Sequence, residues 1–398
     1  MTLRSSAGSP VGARIRARRL TRGWSVRFAA SRAGISHATW SRIERGLQAA
    51  DNRFTLGAIA EALECSPSEL AGAPVPAADR QALAGVEALR QALIDIDLSE
   101  PADRVAPPLD DLARTVDLAE SLLQACDYAG ATRLLCELLR DLHAETAGPE
   151  SGRALRLLCV AAHVASSSLR NLGLPADAWV AAERCQEAAD AAADPVLRGF
   201  AAYTRASAAS VAGSNQRALT LAERAADDLG RHVARTGGAE VLGALHLMCA
   251  LASQGAGRLD ESRAWSSGAA VLAARTGETK TLGLFFGPTN VDIWRISIEV
   301  EDGDPGHAVQ IARRTSPGAL PVGLRQVFLY ADTARALTQL SGHDREAVRL
   351  LLNAERIAPQ HVHRSAEVRD AVHTLLGRSR LRSGGAELRA LSERMQVA

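Results

Sequence analysis

SVRFAASRAGISHATWSRIERG, residues Ser25 to Gly46, decides the fold of the N-terminal part of the chain. It reads as two short helices joined by a sharp turn. Gly34 stands between two apolar-patterned segments, where the backbone needs a positive φ that glycine reaches without steric cost. Ser25 and Ser36 each precede a helical run, and each hydroxyl suits the cap of the free N–H groups there. Counted from Val26 as the first of twenty positions, small Ala30 is fifth, Gly34 ninth, Ile35 tenth, Trp40 fifteenth and Ile43 eighteenth. Ala30 lets two helices cross closely, and the others face inward. The full set in register is the pattern of a helix-turn-helix, whose second helix is presented outward.

Working outward, residues 10 to 72 resemble the Cro/CI-type (XRE, lambda-repressor-like) helix-turn-helix regulators through RIRARRL, WSVRFAASRAGIS, TWSRIERG and FTLGAIAEALECSPSEL. The resemblance implies a five-helix DNA-binding domain over residues 11–72. Its helices would be Val11–Arg22, Val26–Ala33, His37–Gly46, Leu56–Leu63 and Pro67–Ala71. It also implies base reading in the major groove by His37, Ala38, Thr39 and Arg42, with Arg42 suited to bidentate pairing with guanine. Arg19 and Glu44 fall where the family carries a buried ion pair. Phosphate contacts are expected from Arg16, Arg18, Ser25, Arg27, Ser36, Ser41 and Arg45. Three features depart from the family: Val26 stands where glutamine is usual, Phe28 where a polar residue is usual, and small Ala29 is set against large Trp40, a volume-conserving exchange.

Charge agrees with that placement. Residues 1–72 carry 11 arginines and 5 carboxylates, so this part is basic and the remainder acidic, although the chain's net charge is only +1. A compact basic module suits phosphate neutralisation, and the acidic remainder argues against nucleic acid held along the whole chain. With 398 residues, 47% hydrophobic but only 4% aromatic, the chain favours helices packed through small side chains. Lys280 is the one lysine. The cysteines at 65, 126, 136, 159, 185 and 249 form no CxxC and read as buried thiols of a reducing compartment. No signal peptide or membrane span is visible, so a bacterial cytoplasmic protein without membrane contact is expected.

Residues 1–10 read as disordered, and residues 73–108 as a linker containing a connector or dimerisation helix with Leu83, Val86, Leu89 and Leu93 along one stripe. Residues 109–398 then repeat. A turn glycine is followed by a small residue at plus five and a small or apolar one at plus twelve: Gly173 with Ala178 and Cys185, Gly213 with Ala218 and Ala225, Gly257 with Ser262 and Ala269. Gly303 with Ala308, Gly342 with Ala347 and Gly385 with Ala390 continue the series, and Cys126-Asp127-Tyr128 opens it. This resembles tetratricopeptide (TPR) repeats with long helices. The fold expected is all-α: the five-helix head followed by a TPR-like α-solenoid serving as sensor or dimerisation domain.

One stretch breaks the rhythm. LFFGPTN, residues 284–290, and the following VDIWRISIEVE concentrate aromatics, and Phe286, Asn290, Trp294 and Arg295 are the candidate effector contacts. No HExxH, GxSxG or Walker A motif occurs. Gly277-Glu278-Thr279-Lys280-Thr281 lacks the glycine spacing of a phosphate loop. His361-Val362-His363 lacks metal partners and reads as surface polarity. No enzyme, cofactor or metal is expected. The expected function is a sequence-specific transcriptional regulator, a homodimer on a pseudo-palindromic double-stranded operator, controlled by a signalling peptide or small-molecule effector. The architecture resembles Rgg/PlcR-type regulators. The alternative is a TPR adaptor protein with weak, sequence-blind DNA binding.

Overall fold

The structure is a computed structural model; it describes residues 10–48, 50, 53–65, 70, 79–100, 102, 104–320, 322–379, 385–395 and 397. Among them the secondary structure is helical and no strand occurs. The head contributes α1 (Pro10–Thr21), α2 (Val26–Arg32), α3 (His37–Glu44) and α4 (Arg53–Ala62). Residues 1–9, and 67–71 of the fifth expected helix apart from the buried Leu70, lie outside the described residues. Gly34 has φ 64° in the α2–α3 turn. Ser25 Oγ accepts from Phe28 N at 3.1 Å, and Ser36 Oγ from Thr39 N at 3.0 Å. Trp40 and Ala29 are both fully buried in the head core.

The body follows as α5 (Asp79–Asp95), α6 (Leu109–Gln124), α7 (Tyr128–Glu145), α8 (Ser151–Asn171), α9 (Pro175–Ala191), α10 (Pro195–Val211) and α11 (Asn215–Gly230). It continues through α12 (Gly238–Gly255), α13 (Leu259–Thr276), α14 (Pro288–Asp302), α15 (Pro305–Arg314), α16 (Gly323–Gln339) and α17 (Asp344–Ile357). It ends with α18 (Pro359–Arg364), α19 (Ala366–Ser379) and α20 (Ala386–Arg394). The stretch read as a linker helix, α5, packs along α7 and puts Val86, Leu89, Leu93 and Ile96 into the body's core. It is therefore the first helix of the body rather than a free connector, because its apolar stripe finds a covering partner within the chain.

Each repeat glycine marks a helical hairpin. Gly173, Gly213, Gly257, Gly303, Gly342 and Gly385 all have positive φ, and Cys126 (φ 62°) takes the same turn without being glycine. The small residue at plus five is buried at Ala131, Ala178, Ala218, Ser262, Ala308 and Ala347, where the second helix presses on the first. Successive first helices (α6, α8, α10, α12, α14, α16, α19) also pack on one another, forming an inner layer. The result is a helical solenoid.

The solenoid closes on itself. α16 packs against α6, and Tyr128 OH lies 3.2 Å from His361 Nδ1. Gln360 Oε1 accepts from Ala129 N at 3.3 Å, and Arg364 Nη1 donates to Leu172 O at 3.1 Å. Val322, Leu324 and Val327 from the late helices share a core with Leu109 and Leu112 from the first hairpin. The last three hairpins also have a core of their own, from Ile293 to Val397.

Candidate nucleic-acid interface and ligand cavity

The head presents α3 outward. Its inner face is fixed by one buried polar cluster. Arg19 Nε and Nη2 donate to the two Glu44 carboxylate oxygens at 2.6 and 2.8 Å, and Trp40 Nε1 donates to Glu44 Oε1 at 2.6 Å. Arg19 Nη1 also donates to Trp24 O at 2.7 Å, so one guanidinium ties α1 to α3 and to the entry of α2. The Glu44 hydrogen bonds hold the Arg19 pKa above its ordinary value against desolvation. With that face locked, His37, Ala38 and Arg42 are exposed on the other, and Thr39 is half-buried. Thr39 Oγ1 lies 2.8 Å from Ser36 Oγ, and Arg42 Nε donates to Gln48 Oε1 at 3.1 Å.

Arg16, Arg27, Arg45, Ser25 and Ser36 are exposed, and Arg18 and Ser41 half-buried. Both serine hydroxyls cap exposed helix N-termini, and phosphate oxygens are commonly received at such N-termini. Phe28, in the position expected to be polar, is 48% exposed and meets Trp24 edge to face at 5.1 Å. Arg22 and Arg32 stack over the same indole.

The head touches the body at a few points. The Phe54 ring on α4 lies so close to Gly255 that a Cβ there would meet it at 2.2 Å. Gly57 faces the Gly213 turn, and Ala366 at the start of α19 packs on the head core. Glycine at 255 is thus what allows the ring to seat.

Behind this contact the solenoid lines a cavity of about 270 Å³ that is partly open to solvent. Phe54, Leu56 and Gly57 of the head belong to its wall, so head and body meet across it. The body supplies one stripe from each inner helix: His163, Ser167 and Arg170 from α8; Tyr203, Ser207 and Ser210 from α10; Met248 and Leu251 from α12. Trp294 and Ser297 come from α14, and Arg325, Phe328, Asp332 and Arg335 from α16. Burial pushes the His163 imidazole down to about 3, aided by nearby Arg170 and Arg325, so it is neutral. Its Nδ1 lies 2.8 Å from Thr204 Oγ1. His361 is likewise pushed down to about 4, chiefly by burial, and stands edge to face on Phe328 at 5.0 Å.

Of the four effector candidates read from sequence, only Trp294 lines this cavity. Phe286 is fully buried elsewhere. Its ring fills the notch left by Gly243 on α12, where a Cβ would sit 2.0 Å from Cζ. Asn290 is buried and donates to Leu284 O at 3.4 Å. Arg295 lies 3.6 Å from Asp292 on its own helix. The two phenylalanines of this stretch are packing for an irregular junction, whose turn holds Leu282 and Phe285 at positive φ. The two histidines expected at the surface also separate: His361 faces the cavity, whereas His363 Nε2 lies 2.9 Å from Glu355 Oε1.

Sequence reasoning missed the α16 stripe. Arg325, Phe328, Asp332 and Arg335 recur at helical spacing and place three charges on one face of an otherwise apolar helix. A charge stripe on a buried helix was the available signal.

Comparison with known proteins bears on the head alone. No curated protein matches the chain. Residues 10–72 match the family model described as a helix-turn-helix domain, and with the exposed face of α3 this supports DNA as the partner of that part of the chain.

Proposed function

We propose that the protein is a transcriptional regulator of the XRE type, with residues 11–72 reading an operator and a TPR-like body sensing a small-molecule effector. The observation that carries this is the shared wall: α4 of the DNA-binding head forms part of a cavity otherwise made by the inner helices of the body. A ligand there touches both units, and it shifts the head only through different affinity for two arrangements of it. A cavity of about 270 Å³ favours a compact effector over an extended peptide.

In this reading His37, Thr39 and Arg42 face base edges with Ala38 between them, and Arg16, Arg18, Arg27, Arg45 and the capping serines Ser25 and Ser36, with Ser41, meet phosphates. Two heads on a pseudo-palindrome, in a homodimer, supply the surface that one small module lacks for tight specific binding. The protein works in a bacterial cytoplasm and carries out no catalytic step.

The test is fluorescence anisotropy of the full-length protein on DNA from its own upstream region and on random DNA, at two salt concentrations. Preference for the upstream fragment that persists at the higher salt is expected. Arg42→Ala should weaken operator binding by about 1–3 kcal/mol and relax one base position. Equal, salt-collapsing binding to all fragments rejects a specific site in that region. Equal loss on operator and random DNA rejects base reading by Arg42.

A further inference from the structure

The cavity wall contains a cation with no counter-charge. Arg325 is 8% exposed, and its Nη2 donates to Leu284 O at 3.0 Å. The Tyr203 hydroxyl is its other neighbour, and among the described residues its Nε has no partner and no carboxylate pairs with it. Arg170 Nε and Arg335 Nε also lack a hydrogen bond, but these and the other arginine of the wall have partners of their own. Arg335 sits between Glu301 at 2.7 Å and Asp332 at 2.8 Å, Arg364 donates to Leu172 O, and Arg170 has partners. A buried, unpaired guanidinium is costly to the folded protein, and its retention points to a ligand that supplies the missing charge. Desolvation already pulls the Arg325 pKa below its ordinary value, in keeping with an uncompensated site.

Further wall atoms lack partners in the same way: Asp332 Oδ2, Gln124 Oε1 and Asn171 Nδ2 are buried without hydrogen bonds. The carbonyl that holds Arg325 belongs to the turn with Leu282 and Phe285 at positive φ, and strained backbone of this kind gathers at ligand sites. Met248, Leu251, Trp294 and Phe328 provide apolar surface in the same wall. The cavity of about 270 Å³ compares with the 150 Å³ that encloses benzene, giving room for about ten non-hydrogen atoms. One unpaired cation, with the Asp332 and Glu367 carboxylates also in the wall, suits a monoanion and disfavours a phosphate dianion.

We propose that this cavity binds a small organic acid of about ten non-hydrogen atoms, its carboxylate on the Arg325 guanidinium and its apolar body against Met248, Leu251, Trp294 and Phe328. The proposal rests on the reading of the cavity as the effector site.

The chain's three methionines are Met1, Met248 and Met395, so ¹³C-methyl methionine spectra of the full-length protein give the cavity a private reporter in Met248. Met395 lies in the separate core of the last hairpins. Benzoate, phenylacetate and 3-phenylpropionate would be titrated against their primary amides. At least one acid should shift Met248 and bind about tenfold tighter than its amide. Arg325→Met should erase that ratio and, by removing the unpaired cation, raise the melting temperature of the ligand-free protein; Arg325→Lys should keep an acid preference. Equal binding of acids and amides at Met248 overturns the acid assignment and leaves the effector cavity standing. A preference that survives Arg325→Met overturns the pairing with Arg325. No shift of Met248 by any acid or amide overturns both readings. The wild-type ratio alone decides the acid assignment if the methionine variant fails to fold.

Discussion

Glu44→Gln removes one charge and leaves the side-chain volume almost unchanged, yet it should nearly unfold the head. Glu44 receives three donors, two from Arg19 and one from Trp40, all between 2.6 and 2.8 Å. A glutamine keeps one acceptor oxygen and points an NH₂ group at donors. Arg19, 7% exposed, is then a buried cation without a counter-ion. Breaking such a pair from one side costs about 3–5 kcal/mol. A domain of the head's size has roughly 3–9 kcal/mol in total. The assay is hydrogen exchange of the full-length protein across a urea series, read in peptides from α1 and α3, with α8 and α10 peptides as internal control. Head peptides should lose protection at much lower urea while body peptides keep theirs. The double variant Arg19→Met with Glu44→Met removes both charges and should recover most of the loss, leaving about 1 kcal/mol for the unpaired Trp40 indole. A Glu44→Gln loss below about 1 kcal/mol, or a double variant no milder than the single, refutes the charge argument.

Three other perturbations probe the body and its seam with the head. Gly243→Ala would place a methyl group 2.0 Å from the Phe286 ring and should destabilise the body by about 1–3 kcal/mol in a urea melt, whereas an effect near zero means the junction can shift freely. Gly255→Val should expel Phe54 from its seat, exposing α4 to proteolysis without lowering the body's melting temperature; unchanged cleavage shows the contact is dispensable. Glu120 is raised to about 7 by burial, with Asp117 adding repulsion. Below about pH 4 both folded and unfolded states hold its proton, and stability is unaffected. Between that pH and 7 the unfolded chain ionises first, so the folded state loses stability, and above 7 the penalty is complete. Glu120→Gln should therefore match the wild type near pH 4 and exceed it by about 2–3 kcal/mol at pH 8, and a gap independent of pH rejects the assignment.

The repeat phase was legible because each turn needs a positive φ and each crossing needs a small side chain. Both leave a residue type behind, as at Gly213 with Ala218. The head was legible for the same reason, through Gly34, Ala30 and the two serine caps. The cavity was not. Its wall takes a few residues from each of several hairpins, and singly Arg325, Tyr203 or His163 resembles any other side chain on its helix. Only the curvature of the whole array brings them together. The aromatic stretch misled because a run of Phe marks either a pocket or a plug. Deciding between them required seeing that Gly243, some forty residues earlier, leaves the notch that Phe286 fills.

Closure of the solenoid also sets the order in which the protein can form. In an open array each hairpin needs only its neighbour, and folding spreads along the chain as it is made. Here the seam joins Tyr128 to His361, 233 residues apart, and Leu172 to Arg364. Such distant contacts are slow to find. On the ribosome the first hairpin therefore waits with its seam face uncovered until nearly the whole chain has emerged. Loss of the chain from α18 onward removes more than one repeat's worth of contacts, since the seam partners Gln360, His361 and Arg364 go with it.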